Sequence, residues 1–334
     1  MIWLTWRQHR FQLLAGAAIL VALLAFLAVT GAEMQSSFTG SGLAACLAAT
    51  ASSCSSLAGT WSTQYAGYQF VIPLFLVLPG LVGVFWGGPL IAREFEQGTH
   101  RMVWMQSVSR ARWLTVKLGA LAAAVIVGSI VLTLALQWWS GPLVAAAGND
   151  RFMPGIFDLL GVVPIAYGVF AFGLGAAAGA IIGRTVPAMA ATLVGFAGVR
   201  VLVEFVARPH YQPALTDSYG LSAEKTTTKS PMPGAWQMSA QTVDRAGHLV
   251  GTGQGIDFNR VIGDCPALGG PGGGALPIAS NIDACIRQAG IHVVATYQPA
   301  DRYWPFQVIE AGLFVLLGLA LISATFWWVR RRSG

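Results

Sequence analysis

The residues of this chain that could do chemistry are few and scattered. His9, His100, His210, His248 and His292 lack the paired acids, histidine cluster or activated nucleophile that a membrane-embedded enzyme needs near its interface, so no catalytic residue is assigned. The three lysines, Lys117, Lys225 and Lys229, do not follow the glycine spacing of a phosphate-binding loop, so the chain has no nucleotide site of its own. Cys46, Cys54, Cys265 and Cys285 could oxidise or ligate a metal, but no histidine stands at ligand spacing near a cysteine pair and no metal is expected. What remains is charge in two places. One is the stretch Arg93-Glu94-Phe95-Glu96-Gln97-Gly98-Thr99, followed by Arg101, Ser109, Arg110 and Lys117. The other is Arg200, Glu204 and Glu310, set in otherwise apolar runs. Such groups can pair, dock and transmit force.

The elements that must position them are set by composition. Hydrophobic residues make up 55% of the 334 and charged residues 10%, against roughly 25% charged in soluble domains. Apolar runs cover residues 11–32, 69–92, 117–142, 158–183, 186–207 and 304–329. Each is long enough at about 1.5 Å per residue to cross a core about 30 Å thick. The expected fold is an all-α polytopic membrane protein of six spans, with a small mixed α/β extracytoplasmic domain at 208–303 between the fifth and sixth. The first run follows Arg7, His9 and Arg10 in the charge order of a signal peptide, but it exceeds the apolar length of one and is read as a retained anchor. Residues 1–10 read either as an interfacial amphipathic helix, with Ile2 and Trp6 on one face, or as a plain positive flank.

Charge orients the spans. Arg7, Arg10, Arg93, Arg101, Arg110, Arg112, Lys117, Arg184 and Arg330-Arg331-Arg332 lie in segments whose acids are Glu94 and Glu96 alone. By the positive-inside rule these segments face the cytoplasm, which puts both termini there and the protein in the cell membrane. The net charge of +6 therefore reads as topology and not as nucleic-acid binding. Residues 33–68 hold no Lys or Arg and face outward, as does 208–303. All four cysteines then fall outside, where thiols oxidise; of three possible pairings the simplest is one disulfide within each loop. In the outer domain, Ser280 and Asp283 before Ile286 and Gly290 suggest a short helix, Ile291 to Tyr297 alternates as a strand, and Gly269 to Gly274 reads as a loop.

The stretch 93–117 carries more than orientation, because an orientation signal needs no acids. Glu94 and Glu96, then Gly98-Thr99, an apolar Met102-Val103-Trp104-Met105, the turn Gln106-Ser107-Val108-Ser109-Arg110, and Lys117 opening the next span suit a short helix beneath the membrane. This arrangement resembles the permeases of the ABC-2 exporter group, with Ser107 standing where their turn has proline. The layout of the whole chain is similar to theirs, and Tyr297 to Trp304, leading into Gln307 and Glu310, resembles the outer exit of one group of them. The resemblance implies a permease subunit of an ATP-driven exporter, with 93–117 as the coupling segment. It implies cytoplasmic ABC ATPase subunits that hold ATP and Mg, and a second copy or homologous permease completing the passage within membrane lipid.

Three further readings concern the bundle. Gly175, Gly179 and Gly183 recur every four residues and permit close helix packing, within the chain or with a second copy. Pro73, Pro79 and Gly87-Gly88-Pro89 invite bends in the second span. Arg200 is expected to pair with Glu204 or Glu310, or else to snorkel to the outer interface. A membrane sensor or scaffold whose outer domain binds a ligand is the alternative to the permease; the short interior segments, with no signalling domain, weigh against it.

Overall fold

The computed structural model describes residues 2–49, 54–98, 109–148, 150–153, 155–220, 234–252 and 286–331. Among the described residues, six helical segments are long and apolar enough to cross a membrane: Arg10–Gly40, Ala66–Glu96, Ala111–Ala146, Val163–Ile182, Thr185–His210 and Ala300–Arg331, here spans 1 to 6. Apart from residues 209–210 and 300–303, they belong to one compact unit, Met1–Arg208 with Trp304–Gly334, and Pro209–Tyr303 forms a second.

Five of the six helices run further than the apolar stretches that mark them, whereas span 4 is shorter, starting at Val163 and not at 158, because Asp158 lies in a separate short helix. Ile2–Gly40 is one continuous helix, so no break separates residues 2–10 from span 1. Span 2 stays helical to Glu96 and span 3 begins at Arg110, where Ser109 accepts a hydrogen bond from the Arg112 amide and caps the first turn. The charged residues expected in a connecting segment thus sit largely on the helices themselves.

Span 4 is the centre of the bundle, and it can be so because its neighbours approach it through glycine. A Cβ on Gly179 would stand 2.5 Å from the Gly88 carbonyl oxygen of span 2, and one on Gly173 2.7 Å from that of Gly318 in span 6. Gly175 is crowded in the same way by Gly83, Gly87 and Gly88, so this stripe meets span 2 of its own chain, backbone against backbone. Gly183, third in the series, does something else. At φ +67° it ends the helix, its amide bonded to the Gly179 carbonyl, and turns the chain into span 5 within two residues.

Among the described residues, two spans contain a π-helical turn. In span 2 it covers Gly83–Gly87, just before Pro89, which has no N–H to offer the carbonyl four residues earlier. In span 5 it covers Val203–Ala207. Between spans 3 and 4 the chain folds back as a short helix, Ile156–Leu159, entered through Gly155 at φ +85°. Between spans 1 and 2, helices Leu43–Ala48 and Cys54–Gln64 are joined by a Cys46–Cys54 disulfide, the simplest pairing for that loop. They bury Leu43, Ala58 and Trp61 with Leu27, Met34 and Trp139 of spans 1 and 3. Cys265 and Cys285 lie outside the described residues.

The second unit is built on a four-stranded antiparallel sheet, β1 (Leu215–Gly220), β2 (Trp236–Val243), β3 (Leu249–Thr252) and β4 (His292–Gln298), in the order β1-β4-β2-β3. Val250, Ile286, Ile291, Val293 and Ala295 form its core, with residues 286–289 helical beside the sheet. Asp244 closes the β2–β3 turn by accepting the His248 and Ala246 amides at 2.8 Å each; the His248 amide leads in holding its carboxyl below the usual carboxylate range. The expected Gly269–Gly274 loop and the Ser280–Asp283 start of a helix lie outside the described residues.

Candidate functional site

The polar interior of the helical unit is concentrated at two levels. The first lies at the end of the bundle where spans 2 and 3, and spans 4 and 5, are joined, here the basic end. Lys117, in the second turn of span 3, is 3% exposed and forms an ion pair with Glu94 in the last turn of span 2. Its ammonium group also lies 5.3 Å from the centre of the Trp113 ring. Around the pair, Leu90, Ile91, Leu114, Leu118, Phe172 and Val329 make a closed apolar core from spans 2, 3, 4 and 6. Two residues beyond Glu94, the Glu96 carboxylate accepts the Thr185 amide at 3.0 Å and its hydroxyl at 2.7 Å, capping span 5 from span 2. Glu94 and Glu96 therefore bind the last turn of span 2 to spans 3 and 5. Arg93 and Gln97 are left exposed, and Gly98 at φ +68° ends the helix. Thr99 and Arg101 of the expected coupling set, with Met102 to Met105, lie outside the described residues, and Arg110 contributes its place at the start of span 3.

The second level is a buried charge network near the opposite end of the spans. Arg208, at the end of span 5, grips Glu310 of span 6 side-on, with Nε 2.9 Å from Oε2 and Nη2 2.7 Å from Oε1. The same Nη2 lies 2.5 Å from Asp158 Oδ1. Asp158 belongs to the short fold-back helix, and its Oδ2 accepts from Arg200 at 2.9 Å. The Tyr167 hydroxyl of span 4 stands 2.8 Å from Asp158 and 2.5 Å from Glu310, and its single proton is donated to one of them at a time. The Arg200 guanidinium lies 4.3 Å over the Tyr167 ring and that of Arg208 4.3 Å over Phe157. Asp158 is 2% and Glu310 0% exposed, so water does not solvate these charges; each is held by the others.

Gln307, one turn before Glu310, completes the arrangement. Its Oε1 accepts the Val162 and Val163 amides at 3.0 and 3.1 Å, while its Nε2 donates to the Phe157 carbonyl at 2.8 Å. It thereby caps span 4 and ties the fold-back helix to span 6. From span 3, Gln137 donates to the Gly161 carbonyl at 3.1 Å. Hydrogen bonds or ion pairs from spans 3, 4, 5 and 6 thus converge on residues 156–163.

Arg200 accordingly has a different partner from the one its spacing suggested. Residues eight apart on a regular helix are turned by about 80° from one another. The π turn at Val203–Ala207, lying between Arg200 and Arg208, takes up one residue and draws the two arginines toward one face, where both reach Asp158. Asp158, Tyr167 and Arg208 are the residues that sequence reasoning missed. The signal for Asp158 was an acid in an apolar run punctuated by Gly155, Gly161 and Pro164, the mark of a fold-back and not of the start of a span.

The arrangement can brace, orient and transmit movement among spans. The family described as ABC-2 membrane transporter related matches residues 17–208, a stretch that takes in most of span 1 and all of spans 2 to 5. No curated protein and no solved structure matches the chain. With the match covering more than half of its length and six apolar spans to carry it, the chain belongs to the ABC-2 membrane transporter related family.

Proposed function

We propose that this chain is the permease subunit of an ABC exporter, forming the translocation pathway and driven by separate cytoplasmic ATPase subunits. On this reading the basic end and both termini face the cytoplasm, the 209–303 unit lies outside, and a second copy or similar permease completes the passage. Membership of the family supports a transporter membrane subunit and, with it, partnership with ABC ATPases. The observation that carries the coupling is the bracing of the basic end. The Glu94–Lys117 pair and the Glu96 cap on Thr185 tie span 2 to spans 3 and 5 immediately beside the 97–109 connection. A push received there reaches three spans together, as a coupling element requires. ATP and Mg are held by the partner, since this chain has no phosphate-binding loop.

Affinity purification from native membranes in mild detergent tests the proposal. A nucleotide-hydrolysing chain is expected to accompany this one in stoichiometric amount, with ATP turnover in the eluate. An intact chain with no nucleotide-binding partner would refute it.

A further inference from the structure

The charge network neutralises itself: Arg200 and Arg208 face Asp158 and Glu310, two guanidiniums to two carboxylates. Glu204 is a third carboxylate at the same level and is left over. It stands in the π turn of span 5, half-buried, and makes no hydrogen bond or ion pair among the described residues. Arg200, one turn away and its natural partner, is turned toward Asp158 and the Tyr167 ring. A carboxylate within a span is costly without a partner, and such a group marks a functional site by default.

Glu204 and Arg200 are among the residues that line a groove of about 260 Å³ between spans 2 and 5. Its walls are apolar: Leu76, Val77 and Gly80 from span 2, and Leu193, Phe196 and Val201 from span 5. We propose that this groove binds an amphiphile bearing a protonated amine, with the ammonium group on the Glu204 carboxylate and the apolar body along those walls. An anionic head group fits less well, because the arginine at the groove is already satisfied and the carboxylate is not. A symmetric contact with a second copy does not supply the missing cation either. The exposed face of span 5 beside the groove, Val194, Val201, Leu202, Phe205 and Val206, is wholly apolar and would bring Glu204 against hydrocarbon or another Glu204. As a statement about cargo this rests on the permease reading; as a statement about binding it stands by itself.

The test uses the full chain in phosphatidylcholine nanodiscs with radiolabelled dodecylamine, and with dodecanol and dodecanoate as neutral and anionic counterparts. Dodecylamine is expected to bind saturably and roughly tenfold or more tighter than dodecanol, the scale of a charge-assisted hydrogen bond. Glu204→Gln should erase that preference, and Glu204→Asp should restore most of it. Gel filtration and an unfolding midpoint check that both variants fold. A wild-type chain indifferent to the amine, or an E204Q chain that keeps the preference, overturns the proposal. So does an E204Q variant whose oligomeric size changes while amine binding does not, since the groove then belongs to a contact between copies. If the ATPase still co-purifies while amine selectivity is absent, the proposal about the groove fails and the permease reading stands.

Discussion

Replacing Arg208 with leucine is expected to destabilise the helical unit by about 3–5 kcal/mol, the cost of removing one partner from a buried pair. That is a large part of the roughly 5–15 kcal/mol by which native proteins are stable. The substitution leaves Glu310, which is 0% exposed, without its side-on guanidinium, while Asp158 keeps Arg200. It also frees the fold-back helix from span 5 on one side. The double variant Arg208→Met with Glu310→Leu should recover most of the loss, because it removes both members of the bidentate pair and leaves Asp158, Arg200 and Tyr167 to satisfy one another. Arg208→Lys should fall between them, as an ammonium keeps the charge but not the fork that matches a carboxylate. Unfolding by SDS titration in mixed micelles, followed by tryptophan fluorescence, reads all three. An Arg208→Leu protein within about 0.5 kcal/mol of the parent, the range of ordinary surface substitutions, would show that the network does not brace the spans.

The second large effect is expected at the other level. Lys117→Met should cost about 3–5 kcal/mol, the cost of a broken buried pair, since it takes the ammonium away from a Glu94 carboxylate whose Oε2 is buried. Adding Glu94→Gln should return most of it, so that the two substitutions are strongly non-additive in a double-mutant cycle. The double variant then separates structure from mechanism. It is expected to fold and to retain its ATPase partner, yet to transport less per ATP hydrolysed, because the ion pair joining span 2 to span 3 is gone. The cycle is read by the same unfolding titration, and the coupling by ATP turnover and transport in proteoliposomes. A double variant with unchanged transport per ATP would leave the pair a stability device alone.

What is legible in the residues differs between these two levels for physical reasons. The apolar runs announce all six spans, because hydrocarbon demands long uncharged stretches and nothing else in a sequence looks like them. The facing ends of spans 2 and 3 read too short, because Glu94 and Lys117 there are paired with each other. Lys117 looks like the interfacial start of a helix until Glu94 is placed against it, and pairing across 23 residues leaves no mark on either. Glu94 and Glu96 stand out as acids out of place in a basic segment, and the structure turns both of them toward neighbouring spans. The network is half legible. Arg200, Glu204 and Glu310 show as ionisable groups in apolar runs, but the helical spacing that suggests an Arg200 pair with Glu204 assumes a regular helix, and the π turn at Val203–Ala207 breaks it. Asp158 reads as the first residue of a span because the fold-back of Ile156–Leu159 depends on Gln307 and Arg208, far along the chain. Gly175 and Gly179 announce a close approach without naming the partner; Gly83 and Gly88 lie across from them, and Gly88 by itself reads only as a source of bends.

On the permease reading, a separate ATPase docks at the basic end of this chain. This is tested most directly by a photo-crosslinking amino acid placed at Gln97, exposed beside the Glu94 and Glu96 contacts, with the same label at Gly42 between the short helices at the other end of the spans as the control. On irradiation of native membranes, the Gln97 label is expected to form an adduct with a nucleotide-hydrolysing chain and the Gly42 label is not. A Gln97 label that forms no adduct with such a chain, or a Gly42 label that does so instead, would show that no ATPase docks at the basic end.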